Sequence, residues 1–442
     1  MSHPAMVTST SMHPCSVSPP VKNVLVLTST FPRWQGDKDP PFVHELCRRL
    51  AETFGIMVLA PHAPGAKTRE VLEGMSIHRF RYWRESGEML AYGSREAGGG
   101  ILANLRRQPC YYGLLPSFFV AEVFSIARLL ARAKIDLIHA HWLIPQGLAA
   151  VVASRLVHAS VPILCTSHGA DLFALRGPLW ERLKRFVIGS VSGLTVVSRA
   201  MRDRLLTMDR SINSLRVIPM GVDLTERFCP SPAPRREKSL LFVGRLVEKK
   251  GLKYLIQALP RILAKLPGVT LTIVGSGPEE AAVRNLCQAL GVMHAVRFLG
   301  AIPNSAMADL YRTSEVLVFP SVVARDGDQE GFGLVMVEAM GCECAVVATA
   351  LPAIRDIIAD GQTGLILPEK DPVMLAEAIL TVLRNPELRS ALGRNGRAFV
   401  CQRYDWQHIA AQYRAFYDDL LTEGAGMAGM WRNYGVYMER MA

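Results

Sequence analysis

The chain has 442 residues, 50% of them hydrophobic, and a formal net charge of +11. That length exceeds one ordinary core and suits two domains, and the apolar content excludes a disordered chain. The charge is lopsided: residues 1–230 hold 27 Lys+Arg against 17 Asp+Glu, while residues 231–442 hold 23 against 22. Only the first half should therefore attract an acidic partner such as anionic lipid, a phosphorylated acceptor or nucleic acid; the alternative is a merely basic surface. Basic blocks are short and no nucleic-acid motif is present, so nucleic acid ranks last. Nine scattered cysteines, with only Cys342 and Cys344 close together and not at a zinc spacing, fit a reduced, cytosolic compartment.

The first twenty residues are rich in Ser, Pro, Met and His, lack the apolar core of a signal peptide, and read as a disordered tail. Residues 21–27 form a buried strand that runs into a loop holding Gly36 and three prolines, with a helix from about Phe42. A strand, a Gly-bearing loop and a helix begin a parallel α/β sheet, which binds ligands at the carboxyl ends of its strands. Residues 56–62 and 75–82 read as strands, and 84–112, rich in Gly, Arg and Tyr, as a long mobile loop. The apolar stretch Gly113 to Ala131 contains Glu122 and Arg128, so it reads as a packed helix rather than a membrane span. The strand 135–140 leads to His139, His141 and Trp142; no carboxylate or Cys accompanies the two histidines, which favours structural polar groups over metal ligands. The strand 161–167 ends in Ser167-His168-Gly169-Ala170-Asp171, which puts His168 where chemistry sits in this architecture. A further strand spans 193–198, a helix starts at Arg199, and residues 217–223 close the first half.

Residues 230–236, PSPAPRR, are a Pro-rich linker and the best domain boundary. The strand 239–243 then ends at Gly244-Arg245, and Lys249-Lys250-Gly251 opens a helix. Cations at a helix start oppose its dipole, which suggests an anion such as phosphate between Arg245 and Lys250. The strand 269–274 ends in the tight turn Gly275-Ser276-Gly277-Pro278, a weak signal by itself. Strand ends at 297–300 and 316–320 lead to QEGFGLVMVEAMGCECA, residues 329–345. There a loop, Glu330 to Gly333, opens a helix near Leu334 whose free N–H groups suit an anion. Glu338 lies one turn inside that helix among apolar neighbours, so it needs a partner. Sugar or ribose hydroxyls would serve, and so would a structural Arg or backbone donors; on Glu338 alone both readings stay open. Residues 346–349 and 361–366 add the last strands, and a helix covers Trp406 to Leu421.

FPRWQGDKDPPFVHEL, SHGADL, VVSRAMRDRL, VIPMGVDL, FVGRLVEKKG, IVGSGPEE, VRFLGAI, EGFGLVMVEAM and YDWQHIAAQYRAFYDDLL follow one another between residues 23 and about 421. In this order they resemble a retaining glycosyltransferase of family 4, with the GT-B architecture of two Rossmann-like domains facing across a cleft. The resemblance implies an N-terminal acceptor domain over 21–230, a sugar-nucleotide domain over 231–404, a helix over 405–422 crossing back to the first domain, and a tail over 423–442 without assignment. It implies a nucleotide-sugar donor, UDP- or GDP-linked, and a lipid-linked or glycan acceptor. Arg245 and Lys250 match the pair that holds the donor diphosphate, Glu330 the carboxylate that orients the sugar ring, and Glu338 the residue that holds the ribose hydroxyls. The backbone of Phe332, Gly333 and Leu334 matches the wall beside sugar and phosphates, and Ile302 the position meeting the base. Gly275 belongs with the donor site, Gly36 with the loop near the phosphates, and His168 with the reacting sugar. No cofactor and no metal is expected, and the enzyme would work in the cytoplasm, peripheral to an anionic membrane surface reached through its basic first domain.

Where family 4 members usually continue EAMACGxPVVA, this chain has EAMGCECAVVA, a departure expected to alter a turn beside the donor site. Three functions compete: a transferase building cell-surface polysaccharide or glycolipid, another enzyme on the same fold such as a phosphorylase or sugar-nucleotide epimerase, and a non-catalytic sugar-nucleotide binder. A transferase with a small soluble acceptor is a variant of the first.

Overall fold

Long apolar runs such as Val24 to Leu27 leave no polar face, which demands cover on both sides and hence strands inside parallel sheets. The computed structural model describes residues 21–34, 37, 42–92, 100–210, 212 and 214–439, so the tail expected over 1–20 and the loop position Gly36 lie outside the described residues. The first sheet is built from β1 (Asn23–Leu27), β2 (Gly55–Pro61), β3 (Arg69–Leu72), β4 (Met75–Phe80), β5 (Leu137–His141), β6 (Ile163–Ser167), β7 (Gly193–Val196) and β8 (Leu215–Val217). Its order is β3-β4-β2-β1-β5-β6-β7-β8, parallel throughout except for the antiparallel edge strand β3. The second sheet holds β9 (Ser239–Val243), β10 (Thr270–Val274), β11 (Val296–Gly300), β12 (Val316–Phe319), β13 (Ala345–Thr349) and β14 (Leu365–Leu367), all parallel, in the order β11-β10-β9-β12-β13-β14.

Both orders reverse direction at the first strand of the sheet. β1 lies between β2 and β5, and β9 between β10 and β12. Such switch points open a crevice outside the carboxyl ends of the strands. In the first sheet that crevice takes the loops after β1 and β5; in the second it takes the Gly244-Arg245 turn after β9 and the segment after β12 that leads to Glu330.

The last helix, Trp406–Glu439, packs back on the first sheet. Trp406, Ile409, Tyr413, Phe416, Tyr417 and Leu420 share one apolar cluster with Val24, Val26, Leu50 and Phe54. Each such side chain contributes about 1.5–3 kcal/mol on burial, enough to fix the crossing. The helix was expected to stop near residue 422 and instead runs on to Glu439. Gly424, Gly426, Gly429 and Gly435 lower helix propensity there by about 1 kcal/mol each, but no proline intervenes to forbid it.

One other expectation is corrected. The segment 84–112, read as loop, contains the helix Ile101–Arg107 and a 3₁₀ turn over Pro109–Leu114. Tertiary contacts hold it: Asn104 is buried and its side-chain amide donates to the Leu90 carbonyl, 3.0 Å. At the linker, the Arg235 guanidinium donates to the carbonyls of Tyr311, Arg312, Ser314 and Cys342. The GCECA departure falls at the C-terminal end of the helix Leu334–Gly341, within one turn of Glu338 and about 12 Å from Gly333. There Glu343 takes a left-handed φ of 57°, the conformation for which glycine is the natural choice after a helix.

Candidate functional site

The carboxyl ends of β9, β10 and β11 are stitched together by glycine backbone. Gly244 N–H donates to the Val274 carbonyl (3.0 Å) and Gly275 N–H to the Gly300 carbonyl (2.8 Å). Gly275 has a φ of 127°, and a Cβ there would overlap the Gly244 carbonyl oxygen. Its glycine requirement is met inside the protein, by strand-end packing, without invoking a ligand. Gly244 in turn leaves room for the Lys250 stem, with Cε 3.3 Å from the place of a Gly244 Cβ.

Around this floor the second domain gathers charge. Lys250 Nζ bonds Glu330 Oε2 at 2.5 Å and lies 5.0 Å from the Phe319 ring centroid. Lys249 Nζ bonds Asp328 Oδ1 (3.1 Å) and the Gln329 carbonyl (3.3 Å), which anchors the segment just before Glu330. Burial works against the charge on Glu330, but Lys250, Lys249 and Arg245 together hold its carboxyl below the usual carboxylate range. Arg245 is exposed and close enough to act on Glu330 electrostatically. The expected pair Arg245 and Lys250 therefore meets the expected carboxylate Glu330 in one place. Sequence reading had passed over Lys249 and Asp328 as site members; the adjacent KK of Lys249-Lys250 was the available signal.

Gly331 then touches the first domain. A Cβ on it would lie 3.1 Å from the His168 carbonyl oxygen and 3.2 Å from Gly169 Cα. Two backbones meet across the cleft here, directly after Glu330. Phe332 turns its ring inward, 5.5 Å from the Tyr404 ring, so it is the backbone at Phe332, Gly333 and Leu334 that can face a ligand. Leu334 opens the helix and is half-buried. Ile302 follows the end of β11, half-buried at the rim of the same face.

Among the described residues, neither an Arg nor a backbone donor hydrogen-bonds the Glu338 carboxylate. The buried Tyr311 hydroxyl donates to its Oε2 at 2.7 Å. Burial raises the Glu338 carboxyl above its ordinary value, with Tyr311 and Arg227 working the other way. The carboxylate is half-buried, which leaves it reachable from the cleft. Nothing in the sequence marked Tyr311 as its partner, 27 positions away.

His168 Nε2 lies 3.0 Å from His141 Nδ1, so one ring donates to the other. His139, on the same side of β5 as His141, bonds Tyr417 Oη (2.6 Å) and Thr166 Oγ1 (2.7 Å). Burial pushes His139 and His168 down to about 3, and His141 well below its ordinary value. All three rings are neutral at any working pH. His168 Nδ1 and His141 Nε2 are buried without a hydrogen-bond partner among the described residues. His139 and Asp171 are structural: Asp171 accepts from Leu143 N–H (2.7 Å) and the Ser167 hydroxyl (2.8 Å), fixing the loop after β5. Among the described residues no group of three or more His, Cys, Asp or Glu could hold a metal ion.

A second clasp crosses the cleft. Arg106 bonds Asp326 (3.1 Å) and Arg176 donates to the Asp326 carbonyl (3.0 Å), joining the first domain to the loop that leads into Glu330.

Two family profiles match the chain: Glycosyltransferase Family 4 over residues 41–226 and Glycosyl transferases group 1 over residues 225–399. A phosphatidyl-myo-inositol mannosyltransferase of Mycobacterium leprae is 32% identical over 304 residues, covering 68% of this chain and 78% of the relative. N-acetyl-alpha-D-glucosaminyl L-malate synthase of Bacillus anthracis is 25% identical over 317 residues, covering 70% and 81%. Sucrose-phosphate synthase from Thermosynechococcus elongatus superposes with a TM-score of 0.70 at 22% identity, over 91% of this chain and 100% of that one, and shares the GT-B fold. The chain belongs to glycosyltransferase family 4, the group 1 glycosyl transferases.

Proposed function

We propose that this glycosyltransferase is a retaining hexosyltransferase that moves a sugar from a UDP- or GDP-sugar to a lipid-linked or polysaccharide acceptor at the cytoplasmic face of a membrane. The observation that carries the reading is the cation cluster Arg245, Lys249 and Lys250, gathered on Glu330 where the two domains touch. A sugar–diphosphate bond breaks with negative charge building on the leaving oxygen. Fixed cations and the free N–H groups at the start of the helix Leu334–Gly341 stabilise that charge without a metal. The bond from C1 to the acceptor oxygen forms on the face from which the diphosphate leaves. The bonding electrons depart with the diphosphate, and a donor phosphate oxygen takes the acceptor proton. Glu330 orients the sugar ring, Glu338 takes ribose hydroxyls on the oxygen that Tyr311 leaves available, and neutral His168 lies beside the reacting sugar.

The relative named for phosphatidyl-myo-inositol favours an anionic lipid acceptor, and the basic first domain agrees with it. The relative named for malate favours a second reading, a small anionic acceptor in solution. Thermal stabilisation by UDP, GDP and ADP selects the base, since a ligand of the folded state raises its melting point. Transfer from the matching sugar nucleotide is then measured with a membrane lipid extract and with malate. Transfer to lipid that falls at least tenfold in Glu330→Gln supports the reading; donor binding without turnover refutes it.

A further inference from the structure

The helix Leu115–Arg132 is only half packed. Phe118, Glu122, Val123 and Ile126 are buried against the first domain. On the outward side Tyr112 (56% exposed), Pro116, Val120 (66%) and Phe124 (67%) recur at every fourth position, and Arg128 and Arg132 continue the line. Only 22% of the most apolar window of the segment Pro109–Arg132 is buried, so this is not a core helix. Its inward side is packed on the sheet, so it is not a span either. Residues 101–134 carry Arg106, Arg107, Arg128, Arg132 and Lys134, all exposed, and a single acidic residue, Glu122, which faces inward.

We propose that this outward face is a docking surface for an anionic lipid bilayer, with Tyr112, Val120 and Phe124 entering the interface and Arg128, Arg132 and Lys134 lying on the headgroups. The charge pattern selects that occupant. An apolar stripe that runs into the exposed cations Arg128, Arg132 and Lys134, with no outward carboxylate on its own helix, complements a negatively charged surface that is apolar just beneath. A second copy of this basic domain would be repelled by it. The surface is joined to the cleft, because Arg106 bonds Asp326 in the loop that leads to Glu330. A headgroup held here would be presented to the site, a point that rests on the lipid-acceptor reading above.

The test is co-sedimentation of the full chain with vesicles of phosphatidylcholine, with and without phosphatidylglycerol. The wild type is expected to sediment with the anionic vesicles only and to be released by salt. Val120→Ser combined with Phe124→Ser, and Arg128→Glu combined with Arg132→Glu, should each weaken partition at least tenfold. Absence of binding to anionic vesicles, equal partition of all three proteins, or a dimer that the Val120→Ser/Phe124→Ser variant dissolves would each overturn the proposal. Vesicle binding needs no turnover, so a failed transferase assay leaves this result readable, and a failed vesicle assay leaves the transferase reading standing.

Discussion

Replacing Lys250 by Ala separates the two tasks that the Lys250–Glu330 pair performs. Both side chains are largely shielded, 14% and 16% exposed, and their 2.5 Å contact is charge-assisted. Removing the lysine leaves Glu330 with Lys249 and Arg245 nearby, so the buried carboxylate is partly compensated. The stability cost should sit at about 1–3 kcal/mol, below that of an ion left alone. The catalytic cost should be larger. A unit charge about 4 Å from another, at an effective dielectric near 20, contributes about 4 kcal/mol. The donor diphosphate is already anionic when bound, so only the charge gained in the transition state counts, roughly half to three quarters of that. A loss of ~2–3 kcal/mol corresponds to about 30- to 200-fold in kcat. The assay is initial-rate transfer at saturating donor, with circular dichroism and a melting curve on the same samples. A folded Lys250→Ala protein that keeps kcat within threefold of wild type would refute the assignment of Lys250 to the leaving diphosphate.

Glu122 is buried, bonded through Oε1 to Gln146 Nε2 (3.2 Å), and pushed up to about 8 by burial. Its folded pKa is raised, so its contribution is fully present below the ordinary carboxylate value and is lost as pH rises towards 8; Glu122→Gln should raise the unfolding free energy from urea denaturation at pH 8.5, by on the order of 5 kcal/mol, and change little at pH 4. Glu343→Gly should stabilise the protein by about 0.5–1 kcal/mol in chemical denaturation, since it removes a side chain from a left-handed position. Gly331→Ala places a methyl 3.1 Å from the His168 carbonyl across the cleft, and should lower transfer about tenfold or more while shifting the melting point by only about 2 °C. The pH profile of kcat/KM should show no limb near the ordinary histidine value of about 6.5, because burial keeps His168 neutral; a limb there that vanishes in His168→Asn would contradict this.

Elements whose cause is local were legible in the sequence. The strand Ser239–Val243 and the helix starts at Phe42, Arg199 and Leu334 fall where the apolar runs and turn residues put them. Elements whose cause is remote were not. The edge strand Arg69–Leu72 leaves Val71 exposed and exists because β4 pairs with it. The helix Ile101–Arg107 depends on contacts made by Asn104 and Leu105. Within the site, Arg245, Lys250, Glu330 and Glu338 were visible as misplaced charge, by their position at strand ends or on an apolar helix. Their partners were not visible, because Tyr311 reaches Glu338 over 27 positions and His141 reaches His168 over another 27. His141, read as a structural strand-end residue, is the one that fixes the His168 ring, and no local pattern distinguishes it from His139.

The two domains bring different kinds of chemistry to their contact. The second contributes fixed charge: three cations against Glu330 and Asp328, a net of one positive charge, which in the mechanism we propose faces the leaving diphosphate. Among the described residues, what the first brings to that contact is neutral rings and backbone, since His141 and His168 are held unprotonated by burial. A neutral His168 can hydrogen-bond a hydroxyl group without drawing the diphosphate towards the wrong wall. A protonated one would compete with Lys250 for the same anion. On that proposal the low histidine pKa and the Lys–Glu cluster are two halves of one arrangement, in which the charge of the described residues sits behind the departing group. The Gly331–Gly169 contact sets how far apart the halves stand, and it is made by two glycines because any side chain there would widen the gap.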